Sequence, residues 1–166
     1  LSPSSRFSSP APYPTTDPER ARSLLRDYLH DPRVKDRPKE IALTLTAADL
    51  NASWLQGLAE QWSHVGIKVP LNLVPAKQLV RYVVLGTFDV AVVRYFAGED
   101  PDVLWHFFVS DTVSPDVSLN FARFRNDAIT QAFNDGRATL DLETRRRAYA
   151  RAQSVLAEQV PYFWIN

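Results

Sequence analysis

The sequence predicts an α/β fold, with a mostly parallel sheet flanked by helices. Residues 40–47 and 67–74 alternate apolar and polar side chains as strands do. Residues 88–96 form a nearly continuous apolar run, which is typical of a strand covered on both faces. Apolar residues at helical spacing separate these strands. Because a helix between two strands returns the chain to the same end of the sheet, we expect parallel pairing with right-handed crossovers.

The composition excludes several classes of protein. The 166 residues suit one domain, and the 19 basic and 19 acidic residues give a formal net charge of zero. This balance is unlike the basic footprint of a nucleic-acid-binding protein. The absence of cysteine excludes disulfides and thiolate metal sites. No stretch approaches the roughly 20 apolar residues of a membrane span.

The chain is expected to begin with an extended lead-in over residues 1–16, followed by an α/β domain over residues 17–166. The lead-in is rich in serine and proline, which oppose helix formation, and a disordered end fits equally well. Asp17 and Pro18 are the cap and first residue expected of a helix. Its inward residues are predicted to be Leu24, Tyr28 and their helical neighbours, and it should end near His30.

Local signals also place the following elements. A helix is predicted over residues 51–65, closed by Gly66, and another runs from Pro75 to Gly86. Pro70 lies within the second strand, which indicates an edge strand or a bulge. Three later helices begin at Asp100, Asn126 and Asp141. Val103 should face inward on the first of them, the last should stop before Pro161, and residues 162–166 resemble the start of a strand.

No signature of catalysis was found. The five glycines form no phosphate-binding loop, and no nucleophile elbow is present. Asp102 and His106 have only loose metal-ligand spacing, so a helix-capping carboxylate is the favoured interpretation. The basic run at residues 145–147 is interpreted as a solvated helix face. We therefore expect no enzymatic activity, no catalytic residues, no metal site and no cofactor.

The segment after the buried strand is the candidate binding site. In open α/β sheets, ligands bind beyond the carboxyl ends of parallel strands. Aromatic side chains beside an arginine suit a pocket that combines stacking with charge recognition. An equally weighted alternative places Tyr95 and Phe96 in the core and Arg94 on the surface. The candidate residues are Arg94, Tyr95, Phe96, Ala97, Gly98 and Glu99.

Several segments, taken in order, resemble a known family. They are EIALTLTAADLNASWLQGLAEQWSHVGIKVPLNLV, GTFDVAVVRYFAGEDPD, SLNFARFRNDAI and RRRAYARAQSVLAEQVPYFWI, preceded by YPTTDPERARSLL. The series is similar to the C-terminal half of the family 5 extracellular solute-binding proteins, which include dipeptide-, oligopeptide- and nickel-binding receptors of ABC importers. The likeness extends over nearly the whole chain, and the order of the pieces is more specific than any single one.

The resemblance implies one lobe of a hinged, two-lobed receptor with a periplasmic-binding-protein type II-like fold. The chain would be the C-terminal lobe of the solute-capturing component of an ABC transporter for peptides or a related small solute. Its lead-in would lie near the hinge. The implied partners are the solute, the N-terminal lobe of the same receptor and an ABC permease in the membrane, with no nucleic acid. The implied location is extracytoplasmic, either periplasmic or lipid-anchored on the outer face of the cell membrane.

The candidate site departs from the family pattern. In peptide-binding members, an aspartate a few residues before the Asp-Pro pair holds the peptide amino group. Counting back from Pro101 places Ala97 at this position, and counting forward from Gly86 places Gly98 there. Neither residue can bind an ammonium, although Glu99 is adjacent. Arg94 or Tyr95 replaces a family tryptophan, so an anionic solute met by Arg94 is a further hypothesis.

An alternative function follows from the same resemblance. Some transcriptional regulators resemble this family over their effector-binding half, which is joined to a DNA-binding domain. A helix-turn-helix upstream would favour such a regulator. A signal peptide with a lipid-attachment cysteine would favour a receptor.

Overall fold

The computed structural model describes residues 4–11, 13–36, 38–49, 52–94 and 98–165. The chain divides into two compact units. The sheet unit comprises Thr15–Val83 and Thr87–Arg94, and the helix unit comprises Leu1–Pro14, Val84–Gly86 and Tyr95–Asn166. No described helix is both long and apolar enough to cross a membrane.

The described strands and first helices alternate along the chain. The helices are α1 (Pro18–His30), α2 (Ala52–Ser63) and α3 (Ala76–Leu85). The strands are β1 (Ile41–Ala42), β2 (Leu45–Ala48), β3 (Ile67–Lys68), β4 (Leu71–Val74) and β5 (Val90–Ala91). The predicted order of strand, helix, strand, helix and strand is confirmed, with each of the first two strands divided in two.

The strand pairings in the described residues are parallel, which confirms the predicted fold class. β1 pairs with β3, and β2 lies between β4 and β5 in the three-stranded sheet. Leu45 at the start of β2 is in register with Leu71 of β4 and Val90 of β5. Since Leu45 and Ala47 are fully buried, the core of the sheet unit forms around this central strand.

Pro70 divides the second predicted strand, as expected from its missing N–H group. Its carbonyl accepts a hydrogen bond from the Leu45 amide at 2.9 Å, but proline can return none. The regular pairing therefore stops after β3 and resumes at β4. The order of the three-stranded sheet places β4 at an edge, also as predicted.

The third predicted strand is present as the parallel strand β5, but the prediction that it is covered on both faces is wrong in the described residues. β5 covers only Val90–Ala91, although Val92 still donates its amide to the Thr46 carbonyl at 2.9 Å. Residues 90–93 are half-buried rather than covered on both faces. The reason is that β5 pairs only with β2 in the described sheet and therefore forms an edge.

The helix unit contains α4 (Trp105–Phe108), α5 (Asp127–Arg137) and α6 (Leu142–Gln159). A 3₁₀ turn over Pro101–Leu104 precedes α4. Its side-chain core is a chain of aromatic contacts, in which Phe133 lies between Phe108 and Tyr149 with ring centroids 5.9 Å and 5.7 Å apart. The predicted caps Asn126 and Asp141 accept hydrogen bonds from the first turns of α5 and α6.

The lead-in supplies an unexpected core residue. Phe7 is only 1% exposed, and its ring meets Tyr149 edge-on at 5.6 Å. Gln153 donates its side-chain amide to the Phe7 carbonyl at 2.9 Å and accepts from the Ser9 amide at 3.3 Å. The lead-in therefore packs on α6 by specific contacts, which its serine- and proline-rich composition did not indicate.

Three further predictions are wrong in detail. Leu24 and Tyr28 of α1 are 55% and 46% exposed, and α1 has no buried residue in the described structure. Val103 is 50% exposed because it lies in a 3₁₀ turn, whose period differs from that of an α-helix. Residues 162–165 form no strand, and the Tyr162 ring instead packs on Phe108 at 5.1 Å.

Candidate ligand-binding site

The structure describes three of the six candidate residues. Arg94 lies in the sheet unit just beyond β5, whereas Gly98 and Glu99 lie in the helix unit just before the 3₁₀ turn. All three are exposed. The predictions for Tyr95, Phe96 and Ala97 fall outside the described residues. The core placement of the two aromatic residues is therefore untested, while Arg94 is on the surface of its unit.

Hydrogen bonds to the preceding strand segments fix the position of β5. Val90 donates its amide to the Thr44 carbonyl at 3.1 Å, and the Asp89 carboxylate accepts from the Thr44 amide at 2.8 Å. Parallel pairing then places the carboxyl ends of β2 and β5 at one edge of the sheet. Arg94 follows that edge, which is where ligands bind in open α/β folds.

Asp100 anchors the chain immediately after Glu99. Its carboxylate accepts from the Asp102 amide at 3.0 Å, which caps the 3₁₀ turn as the sequence predicted. One carboxylate oxygen also accepts from Arg145 Nη2 at 2.6 Å. The hydrogen bond from Arg145, followed by smaller contributions such as the Asp102 amide, holds the pKa of the Asp100 carboxyl below its ordinary value.

Arg145 is held on several sides. Its side chain is 13% exposed, and Nε donates to the Gly136 carbonyl at 3.0 Å. Its guanidinium carbon lies 5.2 Å from the Phe7 ring centre and 5.5 Å from that of Tyr149, which is cation–π distance. The hydrogen bond to Asp100 is the main cause of a raised pKa for Arg145. The prediction that residues 145–147 form a solvated face is therefore wrong for Arg145.

The other aspartate of this turn, Asp102, pairs with a different arginine. Arg137 Nε lies 3.2 Å from Asp102 Oδ1, and the same guanidinium stacks over the Trp105 ring at 4.7 Å. The Asp102 carboxylate thus faces an arginine at the end of α5. His106 lies four residues after Asp102, the loose metal-ligand spacing noted in the sequence. In the structure its ring contacts the Trp105 ring edge-on. Within the described ranges, no group of three or more His, Cys, Asp or Glu residues could hold a metal ion.

A cleft of about 310 Å³ lies elsewhere, between α5 and α6. Its lining includes Asp135 and Arg151, which form an ion pair with each other, and Arg147, which donates to Thr144. None of the three described candidate residues lines this cleft. Its polar groups already contact one another, so it offers no set of free groups that converge on a ligand.

Sequence reasoning missed Arg145 and Arg137 as partners of the Asp-Pro-Asp turn. Local spacing could not reveal them, because each lies at least 35 positions along the chain from its aspartate. The quoted family series includes Asp100, Asp102 and Arg145 together. The occurrence of these three charged residues in one family series was the signal in the sequence that could have pointed to their pairing.

Comparison with known proteins supplies the context for this geometry. No family model matches the chain. The protein called "Probable di/tripeptide-binding protein 5" of Pseudomonas aeruginosa is 32% identical over 149 residues, which are 86% of this chain and 27% of that relative. The resemblance to the family 5 solute-binding proteins is confirmed.

Solved structures of other binding proteins share the fold. The oligopeptide-binding protein AppA of Bacillus subtilis, in complex with a nonapeptide, matches with a TM-score of 0.81 at 20% identity, over 97% of this chain and 34% of AppA. The dipeptide-binding protein of Pseudoalteromonas sp. SM9913, in complex with Met-Leu, matches with a TM-score of 0.78 at 20% identity, over 96% of this chain and 32% of that protein. The chain therefore spans about a third or less of the length of the proteins it matches.

Proposed function

We propose that this chain is the C-terminal lobe of the solute-capturing receptor of an ABC importer, and that it takes part in binding rather than catalysis. The sequence match to a peptide-binding protein, which extends over most of this chain, is the observation that carries the proposal. The absence of a regulator among the relatives described above leaves the alternative of a transcriptional regulator without support.

The intact receptor would work outside the cytoplasm and deliver its solute to a membrane permease. A second lobe, N-terminal to this one, would supply the other wall of the site. Closure of two lobes on a solute draws its free energy from contacts made to both of them. The isolated chain would therefore bind solute weakly or not at all.

We further propose that the solute is a peptide or a related small molecule with an anionic group near Arg94. This residue follows β5 at the sheet edge where ligands bind, and it is exposed. Neither Ala97 nor Gly98 offers a carboxylate for a peptide amino group. A guanidinium at the same edge favours a carboxylate-bearing solute, because it donates two parallel hydrogen bonds to such a group.

The proposal is tested by calorimetry on the intact protein that contains this chain. The probes are the tripeptides Ala-Ala-Ala and Ala-Asp-Ala, titrated into wild type and into Arg94→Ala. Loss of one charge-assisted contact should weaken binding of Ala-Asp-Ala about tenfold. Arg81→Ala, which removes another exposed arginine of the sheet unit, is the matched control and should leave the affinity unchanged.

The outcomes separate the two levels of the proposal. Unchanged affinity in Arg94→Ala would reject the role of this arginine while leaving the receptor in place. Failure of the intact wild-type protein to bind either tripeptide would reject a peptide solute. Normal solute uptake by cells that lack the intact protein would reject the transport function.

A further inference from the structure

We propose that Asp49 binds the ammonium group of the solute whose anionic group Arg94 binds, so that the sheet unit recognises a zwitterion. This inference rests on the proposed function, because it keeps Arg94 as the residue that meets the anionic group. It extends that function by assigning the amino group of the solute to a carboxylate that the family pattern does not supply. Both residues belong to the sheet unit.

Asp49 and Arg94 follow neighbouring parallel strands by the same number of residues. Thr46 of β2 is in register with Ala91 of β5, and each of the two charged residues lies three positions after its own member of this pair. The Val92 amide donates to the Thr46 carbonyl at 2.9 Å, so the pairing continues past Ala91. Both charged residues therefore leave the sheet at one edge, beyond the carboxyl ends of the strands, where ligands bind.

The carboxylates at the strand ends of the sheet unit differ in whether they already have partners. Glu40 precedes β1 and pairs with Lys68 at 2.7 Å, and Asp89 precedes β5 and accepts from the Thr44 amide at 2.8 Å. Both lie at amino ends of strands and serve the protein itself. Asp49 comes directly after β2, at a carboxyl end, and within the described ranges its side chain has no hydrogen bond or ion pair. Its carboxylate is therefore available to a solute.

The Arg94 guanidinium is available in the same way. Both Arg94 and Asp49 are exposed, and among the described residues neither side chain pairs with the other. An ammonium beside the carboxylate and a carboxylate beside the guanidinium would each gain a charge-assisted hydrogen bond. A solute that carries both groups satisfies both side chains, whereas a solute of one sign is attracted by one side chain and repelled by the other.

The spacing of the strands favours a short solute. Adjacent strands lie about 4.8 Å apart, and an extended peptide spans roughly 3.3–3.6 Å per residue. A di- or tripeptide therefore presents an ammonium and a carboxylate within the span that an aspartate and a longer arginine side chain can cover from adjacent strands. The chemical class that fits this edge is a short peptide with a free amino group.

Helix capping is the alternative role for Asp49, because α2 begins three residues later at Ala52. Asparagine caps a helix about as well as aspartate does, but it carries no charge. Asp49→Asn therefore keeps a capping side chain and removes the charge that attracts an ammonium. A change in affinity that depends on the ammonium of the solute then reports binding rather than capping.

The test is calorimetry on the intact protein with Ala-Asp-Ala and with acetyl-Ala-Asp-Ala, which lacks the ammonium. Wild type should bind the free peptide about tenfold more tightly than the acetylated peptide. Asp49→Asn should weaken binding of the free peptide about tenfold and leave binding of the acetylated peptide unchanged. Asp27→Asn makes the same change at an exposed position of α1, so this matched control should bind both peptides as wild type does.

A double variant distinguishes two solute contacts from an ion pair between the two residues themselves. Independent contacts predict that the losses in Asp49→Asn and Arg94→Ala multiply, so that the double variant binds the free peptide about a hundredfold more weakly. A mutual ion pair predicts a double variant that binds no more weakly than either single variant. The second result would overturn the inference.

The remaining outcomes separate this inference from the proposed function. Weaker binding in Arg94→Ala with none in Asp49→Asn would overturn the role of Asp49 and keep the anion site. An equal loss for the free and acetylated peptides in Asp49→Asn, or a lower melting temperature without a change of affinity, would also overturn it. Loss of the preference for the free peptide in Glu99→Gln rather than in Asp49→Asn would assign the ammonium to Glu99. Failure of wild type to bind either peptide would reject the peptide solute and this inference together.

Discussion

Gly136 shows how one residue controls the contact between two helices. A Cβ at this position would lie 2.6 Å from Tyr149 Cζ, which is closer than two non-bonded carbon atoms approach in proteins. The missing side chain lets the Tyr149 ring lie against α5. The carbonyl of the same glycine accepts from Arg145, so this close approach also serves the ion pair with Asp100.

We expect Gly136→Ala to destabilise the protein by about 1–3 kcal/mol, because the ring or the helix must shift to admit the methyl group. Gly57→Ala is the matched control, since Gly57 also lies inside a helix but has no neighbour within 4 Å. That change should stabilise the protein by about 0.5–1 kcal/mol through helix propensity. Urea unfolding followed by circular dichroism measures both, and destabilisation by both changes would contradict the steric explanation.

The sequence predicted the roles of residues whose partners lie a few positions away. It did not predict the roles of residues whose partners lie far along the chain. Asp17, Asn126 and Asp141 each accept from an amide three residues ahead, so their capping role follows from the adjacent sequence. Phe7 and Arg145 acquire their roles from partners far along the chain. No periodicity marks such a residue, and only a structure or a family pattern can locate its partner.

At the level of elements, the segment between α4 and α5 has little regular structure beyond the 3₁₀ turn Ser110–Thr112, but it is firmly held. Asn120 is fully buried and donates its side-chain amide to the carbonyls of Val109 and Phe124 at 3.3 Å and 2.9 Å. Its side-chain oxygen accepts from the Phe124 amide at 3.1 Å. The Asn120 side chain thus makes hydrogen bonds to backbone groups that other backbone groups would make in a helix or a sheet.

Asn120→Ala should therefore cost about 2–4 kcal/mol of unfolding free energy, since it leaves buried backbone groups without partners. Asn72→Ala is the control: Asn72 is half-buried and donates to Thr46 at 3.3 Å. Its replacement should cost less than about 1.5 kcal/mol. Chemical unfolding of both variants decides the matter, and a cost for Asn120→Ala no larger than that for Asn72→Ala would argue against the role of Asn120.

A second prediction at the level of elements concerns the packing of the lead-in. Phe7→Ala should destabilise the protein by about 3–4 kcal/mol, because it removes a buried ring from the core of the helix unit. Phe163, which is 70% exposed, offers a control whose change to alanine should stay within about 0.5 kcal/mol. Thermal unfolding of the two variants tests this. A small effect at Phe7 would indicate that the lead-in contributes little to stability.

The bounds of helices with a clear apolar period were predicted well, although the inward residues of α1 were not. Pro18–His30 has the predicted ends, and the apolar stripes of α5 and α6 are buried as expected. The run that contains β5 was predicted to be covered on both faces, and residues 162–165 were predicted to begin a strand, but β5 is an edge strand and residues 162–165 form none. Apolar content alone does not identify the strand or layer that a segment pairs with or packs against.

At the scale of the whole molecule, the ion pair of Asp100 with Arg145 links stability to pH. Asp100 has an ordinary pKa of 3.8, and Arg145 lowers it in the folded state. A carboxyl whose folded pKa is depressed stabilises the fold above its unfolded pKa and loses this effect as the pH falls through the folded value. We therefore expect the stability advantage of wild type over Asp100→Asn to be constant from about pH 5 to 7 and to shrink below about pH 4. Urea unfolding at a series of pH values measures this advantage. When Arg145 is already replaced by Gln, the stability lost on Asp100→Asn should be smaller and should depend less on pH. A stability advantage of wild type over Asp100→Asn that grows toward low pH would contradict the ion-pair explanation.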